Sequence, residues 1–433
     1  MKLPRLFERL FGGNASKVFR GMATLAAGTG VGRLVGLASI PVLTRLYDPH
    51  HYGVLAVFTG IVSLLAPLLN LRYPLAIPLP RRDRTAASLL FLSAACIGVT
   101  TLLAAATLYF AAPYVFRQLS MEVLIPWWWL IVLGSAAIAC YECLTMWATR
   151  KKAYATIAKT LVTQSIIGEG IKISLGLLAF KPFGLLIGQV ASQSAGTGAL
   201  IYQSRTQLVQ YARDCDFGLI KHLAQHYRTY ATYRLASQFL LVLSVQAPIF
   251  IVAKYYEASL TGQLGLAFMA LALPVNLLGE SMARAYYAEI SAIGRRNPQK
   301  VKHLTFSVIK RLLALSLPPT FVLALFGKEI FEVAFGREWS EAGIYASILA
   351  LYLAFQFIQK PVSYLLYLYN GQRQLLVINA QRVILTIACF MIGGSMGATM
   401  TTVLWFYSLV MSIHYSVSVV LALRAIPAVA PVE

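Results

Sequence analysis

The side chains of this chain that could do chemistry are ionisable groups set inside apolar runs long enough to cross a bilayer. Arg33, Arg72, Lys159, Lys172, Arg234 and Arg284 are the cations of interest, and Glu142, Glu169 and Glu280 are the acids. Lys360, Arg382 and His414 also fall in such runs. An ionisable group at the bilayer centre costs about 2.5–3.5 kcal/mol on insertion scales, so each must face protein or water. Most of these groups are basic. Cations where water is sparse attract an anion strongly, and a guanidinium grips phosphate with two parallel hydrogen bonds. The expected ligand is a phosphate or pyrophosphate head group, with Arg33 and Arg72 as its first contacts. Glu142, Glu169 and Glu280 are the candidates for proton or ion coupling. Several of these groups also have a structural alternative. Arg72, Arg234 and Arg284 lie near span ends and can snorkel to lipid phosphates. Glu169 and Lys172 are spaced to neutralise each other on one helix face. The acids can equally be satisfied structural carboxylates, Arg382 a structural anchor, and His414, which stands alone, a core residue.

The elements that must position these groups are membrane helices. The chain has 433 residues, 58% of them hydrophobic and only 12% charged, against about 25% charged in a soluble domain. Such a chain cannot hide its surface in a water-soluble core. The net charge of +21 would suggest nucleic acid on a soluble protein. Here it reads as positive-inside topology plus an anionic ligand, with membrane lipids as partners and no nucleic acid. No cleavable signal is evident in the N-terminal residues. Residues 1–19 place Leu3, Leu6, Phe7, Leu10 and Phe11 on one face, as in an interfacial amphipathic helix. Cys140 and Cys143 form C-x-x-C inside an apolar run without neighbouring ligands, so they read as buried small side chains. Gly28, Gly32 and Gly36 make a smooth stripe for helix packing. The run from Gly30 to Gly36 lacks the Gly-Lys-Ser/Thr ending of a phosphate loop. No metal, cofactor or catalytic constellation is expected.

Spans are expected at 20–45, 52–77, 85–112, 121–147, 153–180, 182–203, 229–253, 257–284, 304–327, 341–367, 373–396 and 399–424. With the N-terminus inside, Lys and Arg concentrate strongly in the inner segments, which supports an even count and two cytoplasmic termini. The polar segment 204–228 separates two sets of six and reads as a surface-lying linker helix. The expected organisation is a bundle over 1–203, a linker over 204–228 and a bundle over 229–433. A shift of 209 residues places Tyr47 on Tyr256, Gly53 on Gly262, Leu55 on Leu264 and Leu69 on Leu278, as in two repeats of the same orientation.

Three stretches carry a family resemblance. They are Arg33-Leu34 through Leu43-Thr44-Arg45-Leu46-Tyr47-Asp48-Pro49 to Tyr52-Gly53; Arg72-Tyr73-Pro74-Leu75-Ala76-Ile77 with Pro80-Arg81-Arg82-Asp83 and Ala86-Ala87; and Phe335-Gly336-Arg337-Glu338-Trp339-Ser340-Glu341-Ala342-Gly343-Ile344-Tyr345-Ala346. In these the sequence resembles Wzx-type polysaccharide flippases, in the superfamily that also holds the MATE exporters and the lipid II flippase (the MOP superfamily). Pro74 departs from the acid often found there in relatives. The resemblance implies an all-α polytopic membrane protein of about 12 helices, in two six-helix bundles around a central cationic cavity. It implies alternating access and a cargo of undecaprenyl-pyrophosphate-linked oligosaccharide. It further implies a bacterial inner membrane and partnership with polysaccharide polymerase or assembly proteins. Three other functions are weighed against it: an ion-coupled small-molecule or drug exporter, which would want acids and aromatics in its cleft; a membrane sugar polymerase or ligase, which would want reactive groups in a sizeable outer loop; and a purely structural assembly protein, which would not need Arg33 buried.

Overall fold

Apolar stretches punctuated by Pro, Gly and capping residues give a chain of helices. The computed structural model describes residues 14–213, 216–369 and 371–427, and no strand occurs among them. The helices are α1 (Asn14–Leu46), α2 (Pro49–Leu69), α3 (Asp83–Gln118), α4 (Trp128–Arg150), α5 (Tyr154–Leu177), α6 (Phe183–Ser194), α7 (Thr197–Arg213) and α8 (Phe217–His226). They continue with α9 (Leu235–Tyr255), α10 (Ala258–Ile293), α11 (Pro298–Phe335), α12 (Ser340–Val362), α13 (Tyr364–Leu368), α14 (Gln372–Ser395) and α15 (Met400–Arg424). Residues 1–13 of the expected amphipathic segment lie outside the described residues, and 14–19 belong to the first turns of α1.

Local chemistry sets the ends. Pro49 opens α2, where a missing N–H costs nothing, and the Asp48 carboxylate accepts from the His51 N–H at 3.0 Å. Asp216 accepts from the Gly218 N–H at the start of α8, and the Thr399 hydroxyl accepts from the Thr402 N–H at the start of α15. Gly336 ends α11 at φ 110°, a conformation that a Cβ disfavours. Pro41, Pro67, Pro113, Pro248 and Pro361 sit within helices; membrane helices tolerate them because neighbouring groups satisfy the freed carbonyls.

Among the described residues, nine helices are long and apolar enough to cross a membrane. The other expected spans have visible reasons to differ. Helix α5 carries Lys159, Glu169 and Lys172. The 182–203 run is divided into α6 and α7 by the turn at Gly196, φ 92°. For α10, most side chains of 273–284 lie outside the described residues, and Ala258–Ala272 qualifies as a shorter apolar helix.

The chain forms two compact units, 1–47 with 58–242 and 48–57 with 243–433. In the first, α1 and α5 run side by side in the same direction. Gly28 rests on Ala158, and Gly32 on Leu161 and Ser165, so two glycines of the expected stripe pack as read. Gly36 has nothing within 4 Å of a would-be Cβ. The Tyr47 ring lies on Gly176, and its hydroxyl donates to the Lys172 carbonyl at 2.8 Å. Arg150 at the end of α4 gathers the loop before α3, donating to Asp83 at 2.9 Å and to the Pro78, Pro80 and Arg81 carbonyls. Cys140 and Cys143 are free thiols, half-buried and buried.

In the second unit the start of α2 crosses α10 at Gly53 and Gly262. A Cβ on Gly53 would strike the Ala258 carbonyl, and one on Gly262 would strike that of Pro49. These are the glycines that the 209-residue shift superimposes, and here they touch each other. Tyr52 meets Trp339 edge to face at 4.8 Å between ring centroids. Tyr256 donates to the Ala398 carbonyl at 2.7 Å, and burial holds its phenol above the usual range.

Candidate functional site

The nominated residues of the first unit fall into two ion-paired nodes and three unpaired cations. One node forms where α2 runs out. Leu71 and Arg72 both take positive φ, 49° and 58°, which turns the chain sharply into the short helix Tyr73–Ala76. The turn aims Arg72 at α4, where its Nη1 donates to Glu142 Oε1 at 2.7 Å. Asn70, fully buried, donates to Glu142 Oε2 at 2.8 Å and accepts from the Arg72 N–H at 2.9 Å. Glu142 thus has both oxygens engaged. Arg72 Nε is buried without a partner.

The second node joins α1 to α5. Lys172, 7% exposed, donates to Glu169 Oε1 at 3.0 Å, and Ser39 of α1 donates to Glu169 Oε2 at 3.0 Å. The i, i+3 pairing weighed from the sequence is present. Both nodes are neutral overall, so each presents a dipole and no net charge to its surroundings.

Arg33, Lys159 and Arg234 differ. All three are exposed, and none has an ion-pair or side-chain hydrogen-bond partner among the described residues. Lys159 follows Ala158, the residue under Gly28, so it stands on the same helix pair as Arg33. Arg234 ends a π-helical turn, Tyr230–Arg234, that packs against Tyr73–Ala76 beside Arg72. Gly30 and Gly36, three residues either side of Arg33, each have nothing within 4 Å of a would-be Cβ. At helical spacing they share Arg33's face, so open space lies above and below its side chain. The apolar stretch of α1 runs Thr24–Leu46, which puts Arg33 roughly 14 Å from one end and about 20 Å from the other at 1.5 Å per residue.

The side chains of Arg284 and Glu280 lie outside the described residues. An apolar groove of about 410 Å³ runs along α5, lined by Ile166, Ile167, Gly170, Ile171, Ser174 and Leu175. Asp48, His50 and His51 bring potential ligand atoms within 4.8 Å of one another at the start of α2. Asn70 and Ser39 were not singled out from the sequence. Asn70, a polar residue between leucines two positions before Arg72, was the available signal; Ser39 offered none, because serine is ordinary in a membrane helix.

The fold is that of the MOP-superfamily transporters, and the chain is a multi-pass membrane protein. It is similar to a multidrug resistance MATE family transporter in its inward-facing conformation, with 16% identity, a TM-score of 0.64, and 92% of this chain and 93% of that chain covered. It is similar to the lipid II flippase MurJ, inward closed, with 12% identity, a TM-score of 0.66, and 92% and 87% covered. A MOP-superfamily transporter from Pyrococcus furiosus, described by the reverse polarity of its binding pocket, matches at 16% identity with a TM-score of 0.57, over 96% of each chain. None of the curated proteins matches. Residues 42–343 match the family described as polysaccharide biosynthesis protein, and the chain belongs to that family.

Proposed function

We propose that this protein flips undecaprenyl-pyrophosphate-linked oligosaccharide units from the cytoplasmic to the periplasmic leaflet of a bacterial inner membrane, by alternating access and with both termini cytoplasmic. It is a transporter in this reading, not an enzyme, and it serves O-antigen, capsule or exopolysaccharide assembly. The observation that carries the reading is Arg33: a guanidinium at mid-depth of an apolar helix, without a counter-charge among the described residues, flanked by two glycines that leave room for a bulky head group. Glycine lets a ligand approach the backbone closely, and a charge at this depth calls for water or an anion beside it. Lys159 and Arg234 add uncompensated positive charge to the same unit. Arg72 and Lys172 are assigned to shaping that unit, since each is held by an acid. The apolar groove on α5 suits an isoprenoid tail that stays in the membrane. Family membership and the likeness to MurJ support a lipid-linked sugar as cargo. A drug exporter is less well supported, because Glu142 and Glu169 are both taken up by cations.

Arg33→Ala should lower surface polysaccharide at least about tenfold with folded protein still in the membrane, the loss of one charge-assisted phosphate contact or more. Arg33→Lys should keep part of the output, since charge remains and the fork geometry is lost. Normal polysaccharide from Arg33→Ala would sink the assignment.

A further inference from the structure

The segment that opens α2 packs three metal-ligating side chains into four residues, Asp48-Pro49-His50-His51, and the cargo reading uses none of them. Pro49 locks one backbone dihedral between the first ligand and the other two. Asp48 caps the helix: its Oδ1 accepts from the His51 N–H at 3.0 Å, which folds the carboxylate back over the first turn. The same oxygen lies 3.0 Å from His51 Nδ1. The His50 ring meets the His51 ring edge to face, with centroids 5.9 Å apart. One ligand atom from each of the three residues lies within 4.8 Å of the other two. Among the described residues, no other group of three or more His, Cys, Asp or Glu side chains is gathered in this way.

The backbone beneath these ligands is held in place. A Cβ on Gly53 would strike the Ala258 carbonyl, and Tyr52 packs edge to face on Trp339. An ion binding here has only side chains to order, which keeps the entropic cost of binding low. A carboxylate oxygen and an imidazole lone pair at 3.0 Å repel each other unless a positive centre lies between them. A proton on His51 Nδ1 answers for that one contact, but it does not account for the third ligand atom. Neighbouring ligands on a metal with bonds of roughly 2.0–2.1 Å stand about 2.8–3.4 Å apart, a spacing that Asp48 and His51 already have. His50 is exposed, so its ring has room to swing the rest of the way.

We propose that Asp48, His50 and His51 form a binding site for one divalent transition-metal cation of the zinc class. Ligand type selects the ion. Two imidazoles with one carboxylate suit zinc and its neighbours, whereas calcium and magnesium take sets of oxygens. Three protein ligands leave a further coordination position to water. The partial positive charge at a helix start opposes a cation, and the Asp48 carboxylate offsets it. With ligands on both sides of Pro49, the ion clips the capping residue to the first turn of α2. The site lies in the second unit, which holds residues 48–57, and is independent of the cargo assigned to Arg33.

The test is calorimetric titration of zinc chloride into the purified full-length protein, carrying no polyhistidine tag and stripped of metal with a chelator that is then removed. Wild type should bind one equivalent saturably at micromolar zinc, and magnesium and calcium should not compete. His50→Ala should weaken binding at least about tenfold, through the loss of a ligand, and Asp48→Asn should weaken it as well. His222→Ala with His226→Ala, which removes the stacked histidine pair of α8, should leave that equivalent in place. Should Asp48→Asn not fold for want of its cap, His50→Ala decides the matter, since that side chain is exposed. Equal zinc binding by wild type and His50→Ala would overturn the proposal. So would a preference for magnesium or calcium, or no zinc binding by wild type, which would leave the Asp48–His51 contact to a proton alone.

Discussion

Arg72 and Glu142 show what a membrane-depth charge pair does when each partner is also held by the backbone turn beneath it. The 2.7 Å contact depends on two successive residues in the left-handed region, Leu71 and Arg72, each costing roughly 1–2 kcal/mol for an L-residue. Strain of this kind persists where surrounding contacts over-determine it; here those contacts are the Asn70 and Glu142 bonds. Removing one charge strands the other. With the side chains 15% and 23% exposed, Glu142→Gln should cost about 1–3 kcal/mol, read as a lower unfolding temperature. Arg72→Met combined with Glu142→Leu should cost less than the sum of the single changes, since neither charge is then stranded. Additive losses would show that the pair has no coupling. The sequence marked both residues as intramembrane charges but not their pairing: they lie 70 positions apart, and only the turn at 71–72 brings them together.

At the level of elements, glycines decide where helices touch. Gly28 rests on Ala158 while Gly36 faces open space, although both belong to one stripe in the sequence. Spacing fixes the face of a helix on which glycines lie; it does not fix how far along that face a neighbour extends. Gly28→Leu should therefore separate α1 from α5 and lower the yield of monodisperse protein, whereas Gly36→Ala should leave yield and melting temperature unchanged. Equal losses from both would contradict the packing. Gly262→Val should be more damaging still, because the Pro49 carbonyl occupies the space of its side chain and neither backbone can yield cheaply. The expected helices and their order were readable from apolar runs and Pro or Gly breaks. What composition did not reveal was that the 182–203 run divides at Gly196, or that Arg382 meets Ser244 from a helix distant in sequence.

At the scale of the whole molecule, the two compact units interleave along the chain, since residues 48–57 group with 243–433. One helix, α2, thus begins in the second unit and ends in the first. In the first unit Arg33, Lys159 and Arg234 are exposed cations; in the second, the half-buried Arg382 donates to Ser244. The family and the membrane fold were legible from the three motif stretches and the hydropathy, because both depend on local pattern. Which cations stay unpaired was not, because pairing depends on helix rotation. The most direct test of the account is transfer of a fluorescent polyprenyl-pyrophosphate oligosaccharide between leaflets of vesicles containing the purified protein. The account predicts protein-dependent transfer that falls at least about tenfold with Arg33→Ala and persists when Arg72 and Glu142 are replaced together by Met and Leu. Transfer no faster than in protein-free vesicles, or transfer indifferent to Arg33, would contradict it.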